Sequence, residues 1–292
     1  MIIVNLTGGL GNQLFQYAMA LSVAERKNNA LFFDITSFKW DALREYELYK
    51  LGVKNNVASD ALIHKIKNTP SNFFSTIKKK LNIDLAYYEE SYIKEKKFEF
   101  DPNFPKFNND NVYFDGYWQS EKYFNNIRNI LLRNLTFNKI SDECIEFINR
   151  IQNTVNSVSL HIRRGDYALN TETKEYHGLV DLEYYIAAID ILNQRLVNPT
   201  FFVFSDDKSY ARSLFGNKIN FTIVDAHFAD FEELYLMSTC ENQVIANSSF
   251  SWWGAWLNRN GNKQVIAPKI WFKNKEMQNQ TGDLIPCDWF KI

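Results

Sequence analysis

Two arginines, a histidine and an aspartate fall close together in the run His161-Ile162-Arg163-Arg164-Gly165-Asp166-Tyr167. An arginine keeps its charge at any working pH and presents a planar fork of donors that matches phosphate oxygens. Such a run suits a diphosphate, or it pairs internally, arginine to Asp166, to hold the end of a strand. These residues alone leave both readings open. Downstream, Phe204-Ser205-Asp206-Asp207 offers carboxylates that can accept from a ribose hydroxyl or from the N–H edge of guanine. Further on, Asn247-Ser248-Ser249-Phe250-Ser251 offers hydroxyls and the free N–H groups of a helix start, which bind phosphate oxygens or simply cap the helix. Near the N-terminus, Gly8-Gly9-Leu10-Gly11-Asn12 forms a glycine turn where a ligand can approach the backbone.

No Asp-x-Asp occurs anywhere, so a common carboxylate pair for holding a metal on a nucleotide-sugar is missing. Asp206 and Asp207 are adjacent, and successive side chains of an extended segment point apart. Arginine must then neutralise a diphosphate in place of a metal, and no metal or other cofactor is expected.

Elements that could position these groups are legible around them. Val158, Leu160 and Ile162 alternate with small or polar neighbours, as a strand requires, and the arginines follow directly. Beyond residue 155, strands at 158–162, 200–204, 220–224, 243–246 and 264–266 alternate with helices at 181–196, 207–215, 230–239 and 249–259. That alternation predicts an α/β fold with a doubly wound parallel sheet. The arginine, FSDD and NSSFS segments each leave the carboxyl end of a strand, where ligands of such sheets bind. Asp181 and Asp230 read as N-caps, with a capping-box variant at Asp230–Glu233. Trp252, Trp253 and Trp256 read as helix packing rather than sugar stacking.

In the first half, a strand at 1–5 precedes the glycine turn. A helix follows, with Leu14, Tyr17, Ala18 and Leu21 on one face, and a second strand covers 30–35. Asp34 ends that strand, which invites a dinucleotide-binding reading. Leu14, however, stands where that fingerprint needs a glycine or alanine. A strand at 111–118, a helix at 121–135 and a helix from the Ser141 cap to about 154 complete this half. Residues 37–110 are less regular and mix Phe73, Phe74, Lys78, Lys79, Lys80, Tyr87, Tyr88, Tyr92, Lys94, Lys96 and Lys97, a solvated cationic face that could meet a membrane or a lipid-linked substrate. The change of pattern predicts domains at 1–155 and 156–270, with 271–292 a segment returning to the first.

The 292 residues carry a net charge of −1, which argues against broad neutralisation of nucleic-acid phosphates. Hydrophobic residues make up 46% and support a full core, and no apolar run reaches a membrane span. Cys144, Cys240 and Cys287 are widely spaced, which supports neither a disulfide framework nor a thiolate zinc site, so a reducing, cytoplasmic setting is expected.

Taken in order, GGLGNQLFQYA (8–18), FDGYWQSEKYF (114–124), HIRRGDY (161–167), FSDD (204–207) and NSSFSWWGAWL (247–257) resemble the α-1,2-fucosyltransferases of glycosyltransferase family 11. The resemblance implies a GT-B-like fold of two Rossmann-like domains facing a cleft. It also implies inverting transfer from GDP-fucose, without metal, to O2 of a terminal galactose in an oligosaccharide or lipid-linked glycan. A bacterial form of such an enzyme would act in surface-polysaccharide or O-antigen synthesis, at most peripheral to the inner membrane. Carried over by position, Arg163 and Arg164 bind the donor diphosphate and Asn12 faces the reaction centre. His161, Gly9, Gly11, Ser205, Asp206, Asp207, Ser248, Ser249, Phe250 and Ser251 complete the donor site, and His177, Tyr117 and Trp118 are candidates on the acceptor side. Asp166 and His177 are candidates for the proton acceptor, although an aspartate beside two arginines is a weak base. A nucleotide-dependent dehydrogenase built on the 8–13 turn, or a non-catalytic nucleotide- or glycan-binding module, are the rival readings.

Overall fold

The computed structural model describes residues 1–67, 91–104, 109–165 and 175–292. Two compact units divide between Thr136 and Phe137.

The first unit holds a four-stranded, all-parallel sheet. Its strands are β1 (Ile2–Asn5), β2 (Leu31–Asp34), β3 (Tyr92–Lys94) and β4 (Val112–Asp115), in the order β2-β1-β4-β3. Helix α1 (Leu10–Lys27) is buried on nearly every side from Leu10 to Ala24, beyond the single face that its apolar spacing predicts. Asn28 ends it in the left-handed conformation and returns its N–H to Ala24 and Glu25. Ile3 and Tyr113 pack with Ile63 and Ile66 of α2 (Asp60–Lys67). The expected helix at 121–135 is instead two 3₁₀ turns, Glu121–Tyr123 and Asn125–Ile127, followed by α3 (Arg128–Asn134). Phe124 breaks the run at φ −147°, with its buried ring against Phe15.

The second unit is a six-stranded sheet, again wholly parallel. Its strands are β5 (Ser157–Ile162), β6 (Thr200–Ser205), β7 (Phe221–Ile223), β8 (Asn242–Val244), β9 (Val265–Ala267) and β10 (Phe290–Lys291), in the order β10-β9-β8-β5-β6-β7. From β5 the chain builds outward through β6 and β7, then restarts at β8 on the other side of β5. The loops leaving β5 and β8 therefore flank a reversal of strand order, where a crevice forms in such sheets. Phe201 and Val203 point to one face and meet α5 (Leu182–Arg195) and α6 (Lys208–Phe215). Phe202 and Phe204 point to the other and meet α4 (Asp142–Gln152) and α7 (Asp230–Thr239). The strand period of two assigns these neighbours to opposite layers. Helix α8 (Ser249–Leu257) follows β8, with all three of its tryptophans buried.

The division lies earlier than the change of pattern near 155. Helix α4, capped by Ser141, buries Cys144, Ile148 and Ile151 against β6 and α7, so it belongs to the second unit. Residues 271–292, expected to return to the first domain, stay with the second, because β10 pairs with β9 and Leu284 accepts from the Trp252 indole. The α7 cap is Ala229 rather than Asp230, and Glu232 accepts from the Ala229 N–H.

Candidate active site

At the carboxyl edge of the second sheet, the register of β5 with β6 brings Ile162 opposite Ser205. The residues that follow these two positions therefore meet. Arg163 Nη1 lies 2.9 Å from Asp206 Oδ2, and the Arg164 N–H donates to Asp206 Oδ1 at 2.8 Å. Arg164 Nε donates to Asp207 Oδ2 at 3.3 Å, and the guanidinium carbon sits 3.8 Å over the Tyr210 ring. Asp207 also caps α6 by accepting from the Tyr210 N–H, and Ser205 Oγ accepts from the Asp207 N–H at 3.0 Å. The arginines thus pair with the FSDD carboxylates, which orient the forks and balance their charge. Asp166, the partner considered from sequence, lies outside the described residues, as do 68–90 of the basic-aromatic stretch.

His161 is a residue of β5 and not of the loop. It is 3% exposed, with its ring against Phe250. Burial pushes its imidazole down to about 4, partly opposed by Asp206, so it is neutral and serves as core rather than as a phosphate ligand. The three serines separate by role. Ser248 caps α8 by accepting from the Phe250 N–H, and Ser251 donates inward to the Ala246 and Ser248 carbonyls. Ser249, half-buried in the first turn of α8, remains the one beside the helix N–H groups. His177 is joined to the serine segment through its backbone, its carbonyl accepting from Asn247 Nδ2, while its ring lies against Phe272.

A pocket of about 550 Å³ opens beside the arginine loop, lined by Gly165, Ser205, Asp206, Asp207, Lys208, His227, Phe228, Asp230 and Glu233. Lys208 Nζ is anchored on the Asp225 and Ala226 carbonyls. Burial pushes the Glu233 carboxyl up to about 7, with Lys208 opposing. A pocket walled by carboxylates accepts N–H donors, the complement of a guanine edge. Sequence reasoning missed Glu233, whose neighbours mark only a helix start.

At the carboxyl edge of the first sheet, amides take over. Gly8 sits at φ +74°, and a Cβ there would come within 2.6 Å of Asn12 Nδ2. Asn12 Oδ1 accepts from Gln119 Nε2 at 3.0 Å. Gln13 bridges the Gly8 and Glu45 carbonyls and the Glu47 N–H, and Gln16 bridges the Thr7 N–H and the Gly116 carbonyl. Gly9 caps α1 and Gly11 is buried in its first turn, so the second glycine is a packing position rather than a ligand contact. Tyr117 is 42% exposed, but Trp118 is 1% exposed among Phe104, Phe114 and Tyr123, which removes it from any acceptor surface. Asp34, the acid of the dinucleotide reading, is 1% exposed and accepts from Thr36 and the Tyr113 hydroxyl, with Lys67 beside it, so it is turned into the unit rather than toward a ribose.

Among the described residues, no three His, Cys, Asp or Glu side chains cluster as metal ligands, and no helix is long and apolar enough to cross a membrane.

The whole chain, residues 1–292, matches glycosyl transferase family 11. An α-1,2-colitosyltransferase from Escherichia coli is 34% identical over 299 residues, covering 100% of this chain and 98% of its own length. The O-antigen biosynthesis glycosyltransferase WbnK, also from Escherichia coli, is 31% identical, covering 95% of this chain and 97% of its own. The galactoside 2-α-L-fucosyltransferase Sec1 of Mus musculus is 29% identical over 50% of this chain and 42% of its own.

Proposed function

This chain belongs to glycosyl transferase family 11, and on that premise we propose that it transfers L-fucose, or a closely related deoxy sugar, from a GDP-linked donor to O2 of a terminal galactose. Transfer inverts the anomeric centre and needs no metal. The strongest support is the pair Arg163/Arg164, held by Asp206 and Asp207 at the reversal of strand order, with the start of α8 on the adjacent strand. Departure of GDP develops charge on its β-phosphate, and preoriented guanidinium groups stabilise that charge more in the transition state than in the ground state. The guanine would occupy the carboxylate-walled pocket beside the loop, its N–H edge on Glu233. The family resemblance assigns Asn12, in the glycine turn, to the reacting sugar.

A specific observation keeps a second donor in view, because the relative at 34% identity is named a colitosyltransferase. Colitose is fucose without its 3-hydroxyl. A site built to bond that hydroxyl rejects the deoxy analogue strongly, whereas one that merely surrounds it accepts both. The deciding experiment offers GDP-fucose, GDP-colitose and UDP-galactose to the purified protein with a galactose-terminated acceptor, and reads linkage by NMR. An α-1,2 product from one or both GDP-sugars is expected. No transfer from either, or attachment elsewhere on galactose, overturns the reading.

A further inference from the structure

Glu95 follows β3 directly, and its backbone N–H continues the ladder to Asp115. Its side chain turns toward the loop that leaves β4. Oε2 accepts from the Tyr117 N–H at 2.7 Å and Oε1 from the Trp118 N–H at 2.9 Å, so one carboxylate takes two successive backbone amides. The loop it grips is strained. Trp118 has φ +56°, a conformation that costs a bulky residue about 1–3 kcal/mol and persists only when the surroundings impose it. A Cβ on Gly116 would lie 2.3 Å from the Glu95 Cβ, so the close passage of the two chains requires glycine there. The Gly116 carbonyl is tied to α1 through Gln16.

The next residue along this loop is Gln119, and its amide donates to Asn12 Oδ1. With its oxygen engaged, the Asn12 carboxamide is held in one orientation. A continuous set of contacts therefore runs from a partly buried carboxylate, through a backbone turn whose two successive amides it accepts, to the asparagine of the glycine turn. We propose that Glu95 is a positioning residue for glycosyl transfer, fixing the 116–119 turn so that Gln119 orients Asn12 for the reacting sugar. This rests on the function proposed above.

Burial pushes the Glu95 carboxyl up to about 7, opposed by the two amides and reinforced by Asp115. Asp115 is the charged group facing it, from β4, and itself accepts from Asn5 and from the Tyr92 hydroxyl. The ionised form accepts both amides, whereas protonation puts a donor against one of them. Turnover should therefore rise as pH passes upward through about 7 and then level.

The test measures kcat from pH 5.5 to 9, with GDP affinity, for wild type, Glu95→Gln, Gln119→Ala and the double variant. Glutamine keeps the shape and one acceptor but faces the second amide with its own NH₂. Glu95→Gln should lower kcat at pH 8 about two- to tenfold, no more than removal of Asn12, and flatten the acid limb, with GDP affinity within about twofold of wild type. Gln119→Ala should match that loss, and the double variant should be no worse than either single, since both act through Asn12. A wild-type kcat and pH profile in Glu95→Gln, additive losses in the double variant, or a parallel loss of GDP affinity overturns the proposal. If Glu95→Gln does not fold, a wild-type kcat in Gln119→Ala overturns it just as well. Absence of transfer by the wild type itself is a different failure, that of the proposed function.

Discussion

The carboxyl edges of the two sheets are built from opposite materials. The edge of the second sheet is charged, with Arg163 and Arg164 cross-linked to Asp206 and Asp207 and a helix start alongside. The edge of the first carries the amides of Asn12, Gln13, Gln16 and Gln119, beside carboxylates of Asp34, Glu95 and Asp115 that are bonded within the unit. An edge of guanidinium groups answers an anion with directed N–H donors, and each ion pair holds a donor fork at a fixed angle. An amide edge has little to offer a diphosphate but can direct neutral hydroxyls and a sugar ring. On the proposed function the contrast amounts to a division of labour, the charged edge binding the donor diphosphate and the amide edge orienting the sugar.

The largest test of that division is Arg164. Lysine would keep the charge but lose both the Asp207 contact and the stack on Tyr210, because an ammonium is a point charge without a planar fork. Hydrogen bonds to charged groups contribute about 1.5–3 kcal/mol each. Both Arg164→Lys and Arg164→Ala should cost roughly ten- to a few-hundredfold in kcat/KM. The ligand-free melting temperature should move by only a few degrees, since partly exposed ion pairs are worth at most about 1 kcal/mol. A lysine variant with wild-type turnover would break the comparison outright.

Glu233 comes next. Its carboxylate must be ionised to accept from guanine, and burial holds it at about 7, so GDP binding should weaken as pH falls below 7. Glu233→Gln should weaken GDP binding about tenfold at pH 8 and remove this pH dependence, by calorimetry, if one charged hydrogen bond is lost. Inosine diphosphate, which lacks the guanine amino group but keeps N1–H, should then distinguish wild type from variant less than GDP does. A variant with unchanged preference for GDP would move the base out of this pocket.

Asn12→Ala should have a smaller effect of a different kind. Neutral hydrogen bonds contribute about 0.5–1.5 kcal/mol, so turnover should fall about two- to tenfold while GDP affinity stays near wild type. Equal loss of both would show that the amide edge holds the nucleotide, and the division of labour would dissolve. The smallest expected effect is that of EDTA. If arginine alone neutralises the leaving diphosphate, transfer should stay within about twofold. Complete loss on chelation, restored by Mg²⁺ or Mn²⁺, would place a metal at the charged edge.

Much of the second unit was legible as pattern. The alternation in 158–162, the strand–helix succession after it and the Ser141 cap all depend on residues a few positions apart, and each appears within one or two residues of its expected place. The 121–135 segment was misread because Tyr123 and Phe124 pack into the core at the expense of helical geometry. His161 and Trp118 were read as ligand-facing because polarity and aromaticity say nothing of the side of a strand or turn on which a residue lands.

By itself the sequence determined the chemical inventory, two adjacent arginines, a serine-rich helix start and a glycine turn, and the α/β succession that carries them. Those are local properties, set by side-chain type and by backbone periodicities of two and 3.6 residues. Only the tertiary structure decided the partners. Arg163 finds Asp206, 43 positions away, because β5 and β6 pair in register. Glu95 finds the Tyr117 and Trp118 amides because β3 and β4 lie side by side. Gln119 finds Asn12, 107 residues distant, because β4 pairs with β1. Such meetings follow from strand order and register, which the whole core selects at once and which no stretch of a few residues encodes.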